Sequence, residues 1–218
     1  MLQNVLKFPK LFLHILILII FFFSSEFFAK TLTPLQRMQE KYKTKQTLTA
    51  DFTQIQKNKL LGTAYKSSGK IFIKRPRFFL WETLDPEKSK LISDGKTVWY
   101  YTPSMHAGEK AQVLIQKNMD SQSQVAFVIL SGQQDLQKTF SIQQKEPFSY
   151  MLKPLKLQGD IAAVELFIEK STFLIYKVVL HMKTGKQTEL LLTNIELGTP
   201  LLDSFFEFKI PPNTEVLH

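Results

Sequence analysis

The spacing of apolar positions changes from helical to alternating and briefly back again along this chain. Leu35, Met38 and Tyr42 recur at helical spacing, with Arg37, Glu40, Lys41, Lys43 and Lys45 around them. Thr33 can cap this segment, Pro34 suits the first helical position, and Gln36 completes a capping box. The spacing predicts a short amphipathic helix that must lie on an apolar surface. After Thr47 the period falls to two: Leu48, Ala50 and Phe52 alternate with Thr49, Asp51 and Thr53, the signature of a strand. Further strands are expected over 70–74, 78–83, 90–93, 97–101, 111–117, 140–144, 150–154, 164–169, 175–182, 187–197 and 205–210. Asp94-Gly95 marks a tight hairpin, and Lys183-Thr184-Gly185-Lys186 marks another.

One stretch departs from alternation. Val125 to Leu130 is a continuous apolar run. Asp120 or Ser121 can cap its start, and Gly132 can end it, so a second helix is expected there. Asp135 to Lys138 reads as one further helical turn. Several strands, among them Phe78-Phe79-Leu80-Trp81 and Val98-Trp99-Tyr100-Tyr101, are apolar on both faces and need cover on both. A strongly curved sheet wrapped around helices or an apolar ligand meets that need. A well-filled β-barrel core meets it equally.

The chain has 218 residues and no cysteine, which excludes disulfide scaffolds, thiol catalysis and thiolate metal sites. Lys7 and Lys10 precede a largely apolar run from Leu11 to Phe23. That order is the pattern of a secretory signal, and the run is shorter than the ~20 residues of a membrane-spanning helix. Residues 1–29 are expected to be removed, leaving 30–218 as a single domain; the rival reading extends the apolar run through Phe28 and keeps the segment as an uncleaved anchor. With a net charge of +9, an exported protein would meet anionic headgroups or acidic proteins rather than nucleic acid, unless the charge serves solubility alone. Catalytic chemistry is not visible. His106, His181 and His218 are scattered, Asp85 and Glu87 flank Pro86 as in a turn, and no nucleophile motif or phosphate-binding glycine loop occurs. No enzyme activity, metal or other cofactor is expected.

The run Gly69-Lys70-Ile71-Phe72-Ile73-Lys74-Arg75-Pro76-Arg77-Phe78-Phe79-Leu80-Trp81 is distinctive. It is preceded by Ala50-Asp51-Phe52-Thr53-Gln54 and followed by Leu91-Ile92-Ser93-Asp94-Gly95-Lys96-Thr97-Val98-Trp99-Tyr100-Tyr101. In order and spacing these segments resemble the LolA family of periplasmic outer-membrane lipoprotein carriers. The likeness continues through Val125–Leu130, Gly132, Asp135-Leu136 and Phe140, and ends in Phe206-Glu207-Phe208 before Pro211-Pro212. A third cation around Pro76 departs from the family motif, which has two.

The resemblance implies a mainly β (α+β) fold: an incomplete, strongly curved antiparallel β-barrel whose helices close the apolar concave face as a lid. It implies a periplasmic carrier that takes lipoprotein acyl chains into a cavity and ferries them from the inner to the outer membrane. Its partners would be acylated lipoproteins, an inner-membrane lipoprotein-releasing ABC transporter and an outer-membrane acceptor lipoprotein where one exists; the carrier would act as a monomer. Arg75 would clamp the lid, since a guanidinium can bond the carbonyls at a helix end. Ile73, Phe79, Trp81, Trp99, Tyr101, Phe127, Ile129 and Leu130 would line cavity or lid. Lys74, Arg77 and Phe79 would dock a partner. The alternative reading is a related half-barrel that binds another lipid or acts as a periplasmic regulatory module.

Overall fold

A computed structural model describes residues 31–58, 62–106, 108–156 and 159–217. The expected signal segment, 1–29, lies outside them. Helix α1 (Pro34–Lys43) comes first, followed by β1 (Thr47–Asn58), β2 (Thr63–Lys74), β3 (Phe78–Asp85), β4 (Ser89–Asp94), β5 (Val98–Thr102) and β6 (Ala111–Gln116). Helices α2 (Ser121–Ser131) and α3 (Leu136–Thr139) interrupt the strands. The chain then returns through β7 (Phe140–Glu146), β8 (Ser149–Pro154), β9 (Ile161–Ile168), β10 (Ile175–Met182) and β11 (Lys186–Leu197), and ends in β12 (Thr214–Leu217). All 12 strands form one curled, unclosed sheet in the order β12-β6-β5-β4-β3-β2-β1-β11-β10-β9-β8-β7. The expected fold class is therefore what the chain adopts.

The long antiparallel pair β1–β11 joins the two meanders, with Phe52 opposite Leu192 and Gln56 opposite Thr188. A register shift between Thr49 and Asp51 breaks this ladder; such irregularities bend a strand and increase its twist. At the Asp94-Gly95 turn, Asp94 Oδ1 accepts hydrogen bonds from the amides of Lys96 and Thr97, both at 2.8 Å. Gly95 takes φ +89°, which disfavours any residue with a Cβ.

Alternation assigns the two faces. The concave face carries Leu48, Ala50 and Phe52 of β1, Ile71 and Ile73 of β2, Phe79 of β3, and Leu190 and Leu192 of β11, all in one cluster with α1, α2 and α3. Close packing there needs Gly69: a Cβ at this position would lie 1.9 Å from the Glu82 carbonyl oxygen and 2.9 Å from the Phe52 ring. The convex face carries a separate cluster of Leu80, Ile92 and Phe206, flanked by Phe72, Phe78, Trp99, Leu201 and Phe208.

That second cluster corrects one expectation. Residues 205–210 do not form a strand. Asp203–Phe206 is a 3-10 turn, the chain beyond it runs without strand pairing, and the final strand lies later and pairs parallel with β6. Phe206 and Phe208 alternate because both point into the convex face of β3–β5. Phe206 stacks 5.4 Å from Phe78, and Phe208 lies 5.3 Å from Tyr101. This strap is also what covers the second apolar face of the doubly apolar strands. Lys74 ties it down, donating to the Leu201 carbonyl at 2.6 Å and pairing with Asp203 at 2.6 Å.

Phe206 is fully buried, so its truncation leaves a cavity that the strap cannot close. Phe206→Ala is expected to cost about 3–5 kcal/mol, measured by urea unfolding. A loss below about 1 kcal/mol would show that the strap is not part of the core.

Candidate functional site

The concave face is not filled evenly. A cavity of about 460 Å³ lies between α2 and the strands, within the ~300–1,000 Å³ typical of small-molecule sites. Its apolar side is made by Trp81, Leu91, Ala126, Leu130, Val178 and Leu190. Its other side is polar, and the change follows the strands. On β1 the inward positions run Leu48, Ala50, Phe52 and then Gln54, Gln56; on β2 they run Ile73, Ile71, Gly69 and then Ser67, Tyr65. Registers line these changes up, with Gln54 opposite both Ser67 and Leu190, and Gln56 opposite both Tyr65 and Thr188. Because alternate residues of a strand share a face, the inward face of β1 and β2 is apolar toward Leu48 and Ile73 and amide- and hydroxyl-bearing toward Gln56 and Tyr65, and it is the polar stretch that lines the cavity.

The two helices over this face are held differently. In α1 the capping box is complete: the Thr33 hydroxyl accepts from the Gln36 amide at 3.2 Å, and the Thr33 amide donates to the Gln36 side chain at 2.9 Å. Leu35, Met38 and Tyr42 are buried. The Leu35 amide donates to Tyr150 Oη at 3.3 Å, the Ile175 amide donates to Tyr42 Oη at 3.0 Å, and Lys41 Nζ donates to the Thr172 carbonyl at 2.8 Å. Arg75, in the β2–β3 turn, donates Nη2 to the Lys43 carbonyl at 2.9 Å and to the Lys45 carbonyl. Its backbone amide also donates to the Gln46 carbonyl at 2.9 Å. The guanidinium thus satisfies carbonyls at the C-terminal end of α1, where a cation also complements the helix dipole. Its Nε is buried without a partner among the described residues.

Helix α2 has a sound N-terminus, with Asp120 accepting from the Gln122 and Ser123 amides at 2.9 and 3.1 Å. Its C-cap, Gly132, sits at φ +60°, and a Cβ there would lie 2.4 Å from Tyr42 Cβ. Val125, Ala126, Ile129 and Leu130 are buried. Yet among the described residues a single side-chain hydrogen bond links α2 to the sheet, from Thr188 Oγ1 to Gln122 Oε1 at 3.2 Å. Apolar contact does the rest, including Phe127 edge-on to Phe79 at 5.9 Å.

Besides Arg75, the residues singled out from sequence fall into three groups. Ile73, Phe79, Phe127, Ile129 and Leu130 share the concave cluster with Trp81, whose ring lies 4.5 Å from Phe52. Of these, Trp81 and Leu130 face the cavity itself. Trp99 and Tyr101 do not belong to this group. They share a face, as period two requires, but it is the convex one, where both pack on Phe208. Leu91 pairs with Tyr100, and it is Tyr100 that reaches the cavity. In the third group, Phe79 is fully buried and Lys74 is engaged with the strap, leaving Arg77 exposed. Unforeseen site residues are the polar ones, Gln54, Gln56, Ser67, Gln122 and Thr188. The signal for Gln54 and Gln56 was present, since they continue the inward parity of Leu48, Ala50 and Phe52.

Among the described residues, no group of three or more metal-ligating side chains converges. His181 Nε2 lies 2.9 Å from Glu165 Oε1, a pair rather than a cluster.

A family model described as outer membrane lipoprotein carrier protein LolA matches residues 43–209. An outer-membrane lipoprotein carrier protein of Legionella pneumophila (strain Corby) is 30% identical over 212 residues, covering 95% of this chain and 98% of the relative. Another from Azotobacter vinelandii is 29% identical over 189 residues, covering 84% and 87%. A solved structure of an uncharacterized conserved protein from Thermus thermophilus shares the fold, with a TM-score of 0.50 at 17% identity, over 84% of this chain and 98% of that one.

Burial pushes the Tyr42 phenol well above its ordinary value of 10.0, with the Ile175 amide only partly offsetting it. The folded state therefore keeps this proton when the unfolded chain releases it. The associated stability is complete below about pH 10 and is lost as pH rises beyond it. Tyr42→Phe should lower stability at pH 7 by about 1–3 kcal/mol, because the Ile175 amide loses its partner. It should also make the fall in stability above pH 10 shallower. Denaturant titrations at pH 7 and pH 11 check both; an unchanged alkaline slope contradicts the assignment.

Proposed function

The chain belongs to the LolA family of outer membrane lipoprotein carrier proteins, and we propose that it carries acylated lipoproteins through the periplasm in the cavity beneath α2. A single long acyl chain contributes on the order of 10 kcal/mol of membrane anchoring, at ~0.8 kcal/mol per buried methylene. A lipoprotein with two or three chains does not cross water unaided. Its carrier must offer apolar burial of similar size and still let go.

The observation that carries the reading is the unequal fastening of the two helices. Helix α1 is tied through Tyr42, Tyr150, Lys41 and Arg75, whereas α2 rests on apolar contact and one hydrogen bond. Apolar contact has no direction. Acyl chains entering under α2 can replace the contacts of Val125, Phe127 and Leu130 with their own, so opening is driven by the cargo that occupies the space. Cargo and lid compete for one face, and the stability of the closed state sets the affinity.

Arg75 acts as the clamp at the other end. It keeps α1 seated while α2 moves, and its unpartnered Nε makes the clamp weaker than a fully bonded guanidinium. Phe79 becomes available to a docking partner only with α2 displaced, because Phe127 covers it at rest. Arg77 remains exposed beside it in sequence as a contact for an acidic partner; Lys74 serves the strap first. In this scheme the chain uses no cofactor and makes no covalent bond. An inner-membrane ABC transporter supplies the energy for loading, and delivery ends at the outer membrane.

Purified protein lacking residues 1–29 should release a triacylated lipoprotein from transporter-bearing inner-membrane vesicles as a soluble one-to-one complex. Arg75→Leu should remain folded while changing the yield of that complex, or its transfer to an acceptor, by about threefold or more, the effect of one or two lost hydrogen bonds. Absence of any complex with folded wild-type protein and active transporter contradicts the carrier reading; unchanged loading and transfer in the variant contradicts the clamp.

A further inference from the structure

An acyl-binding cavity needs only apolar walls, yet half of this one is polar. Gln54 and Ser67 face each other across the β1–β2 ladder, Gln56 lies opposite Thr188, and Thr83 and Gln122 complete the same end. Thr188 and Gln122 bond to each other. The side chains of Gln54, Gln56, Ser67 and Thr83 make no hydrogen bond among the described residues. Ser67 is buried and Gln54 half-buried as residues, yet their polar atoms still reach water in the open cavity, since among the described residues Arg75 Nε alone is a buried side-chain polar atom without a partner. Acyl chains laid over these groups would strip that water and leave them unpaired, which is costly, so this end of the cavity suits a polar ligand group.

The kind of group follows from the side chains. Glutamine offers two donors and one acceptor, the complement of a peptide unit's acceptor and donor. Hydroxyls extend that capacity in either sense. The charged residues lining the cavity are Glu87, Lys88 and Asp120, and Asp120 is committed to capping α2. This charge balance is wrong for a phosphate, which calls for clustered cations. It suits a neutral, amide-bearing head.

We infer that the polar end of the cavity is a second subsite, which binds the amide groups at the acylated N-terminus of the cargo while the apolar end binds its chains. The inference rests on the carrier reading and deepens it. The protein then distinguishes a lipopeptide from a lipid with the same chains and no amide. Chains enter toward Trp81 and Leu130; the peptide leaves past Gln56, the exposed member of the set.

The test compares an N-acetylated dipalmitoylglyceryl-cysteinyl peptide, whose head is neutral and carries the N-acyl amide, with dipalmitoylglycerol, each competing against a fluorescent fatty acid for the protein lacking residues 1–29. The wild type should prefer the lipopeptide by about tenfold or more, the worth of one to three net hydrogen bonds. Gln54→Met/Gln56→Met keeps similar side-chain bulk without the amides, and should bind dipalmitoylglycerol as before while losing most of that preference. The single variant Gln56→Met, at an exposed position, guards against a folding effect and should lose part of it. No preference in the wild type overturns the inference, as does an equal loss of both ligands in the variants. Failure of the wild type to bind the fluorescent fatty acid at all overturns the carrier reading itself, and the inference with it.

Discussion

A sheet that is apolar on both faces must be covered on both, and the rest of this structure follows from that constraint. Twelve strands in one unclosed sheet cannot bury their concave face against themselves as a closed barrel would. The cover comes from elsewhere: α1, α2 and α3 inside, and the C-terminal strap around Phe206 outside. The two covers differ in kind. Outside, Phe206 is wedged into the strands and Lys74 holds the strap by an ion pair and a carbonyl. Inside, α2 spans a space it does not fill.

Helix α1 shows how the inner cover is partly fixed. Its capping box, its buried tyrosine and the Arg75 guanidinium give directional bonds at both ends. Directional bonds fix a position and resist substitution. Helix α2 leans on α1 through Gly132, where any side chain would collide with Tyr42, and otherwise rests on apolar contact and the one bond from Thr188 to Gln122. A fixed helix beside an exchangeable one gives a carrier both a defined cavity and a way to open it.

Much of this was legible in the residues. Thr33, Pro34 and Gln36 declared α1, and Asp120 with Gly132 bounded α2 within a residue. Doubly apolar strands announced a sheet covered on two sides. What covered the convex side was not legible, because Phe206 and Phe208 alternate as a strand would, and only the neighbouring strands reveal that they point into a core. Trp99 and Tyr101 lie on the convex face rather than the expected concave one for a related reason. Period two shows which residues of a strand share a face, but the choice of face is set by cross-strand register, and Leu91 meets Tyr100. The polar end of the cavity is hidden in the sequence because a strand that turns polar ordinarily marks its exposed end. Here parity carries Gln54 and Gln56 inward.

The central claim is that α2 must leave the sheet for cargo to enter. The chain contains no cysteine, so a single engineered crosslink can test this. The Gln122 and Thr188 side chains bond to each other, and Gln122→Cys with Thr188→Cys, bridged through disulfides by a short dithiol that replaces the length of the glutamine side chain, would lock α2 to β11 when oxidised. Binding of a fluorescent fatty acid should be lost in the oxidised protein and return on reduction. Equal binding in both states would contradict the account, and would mean that the cavity fills without any movement of the helix above it.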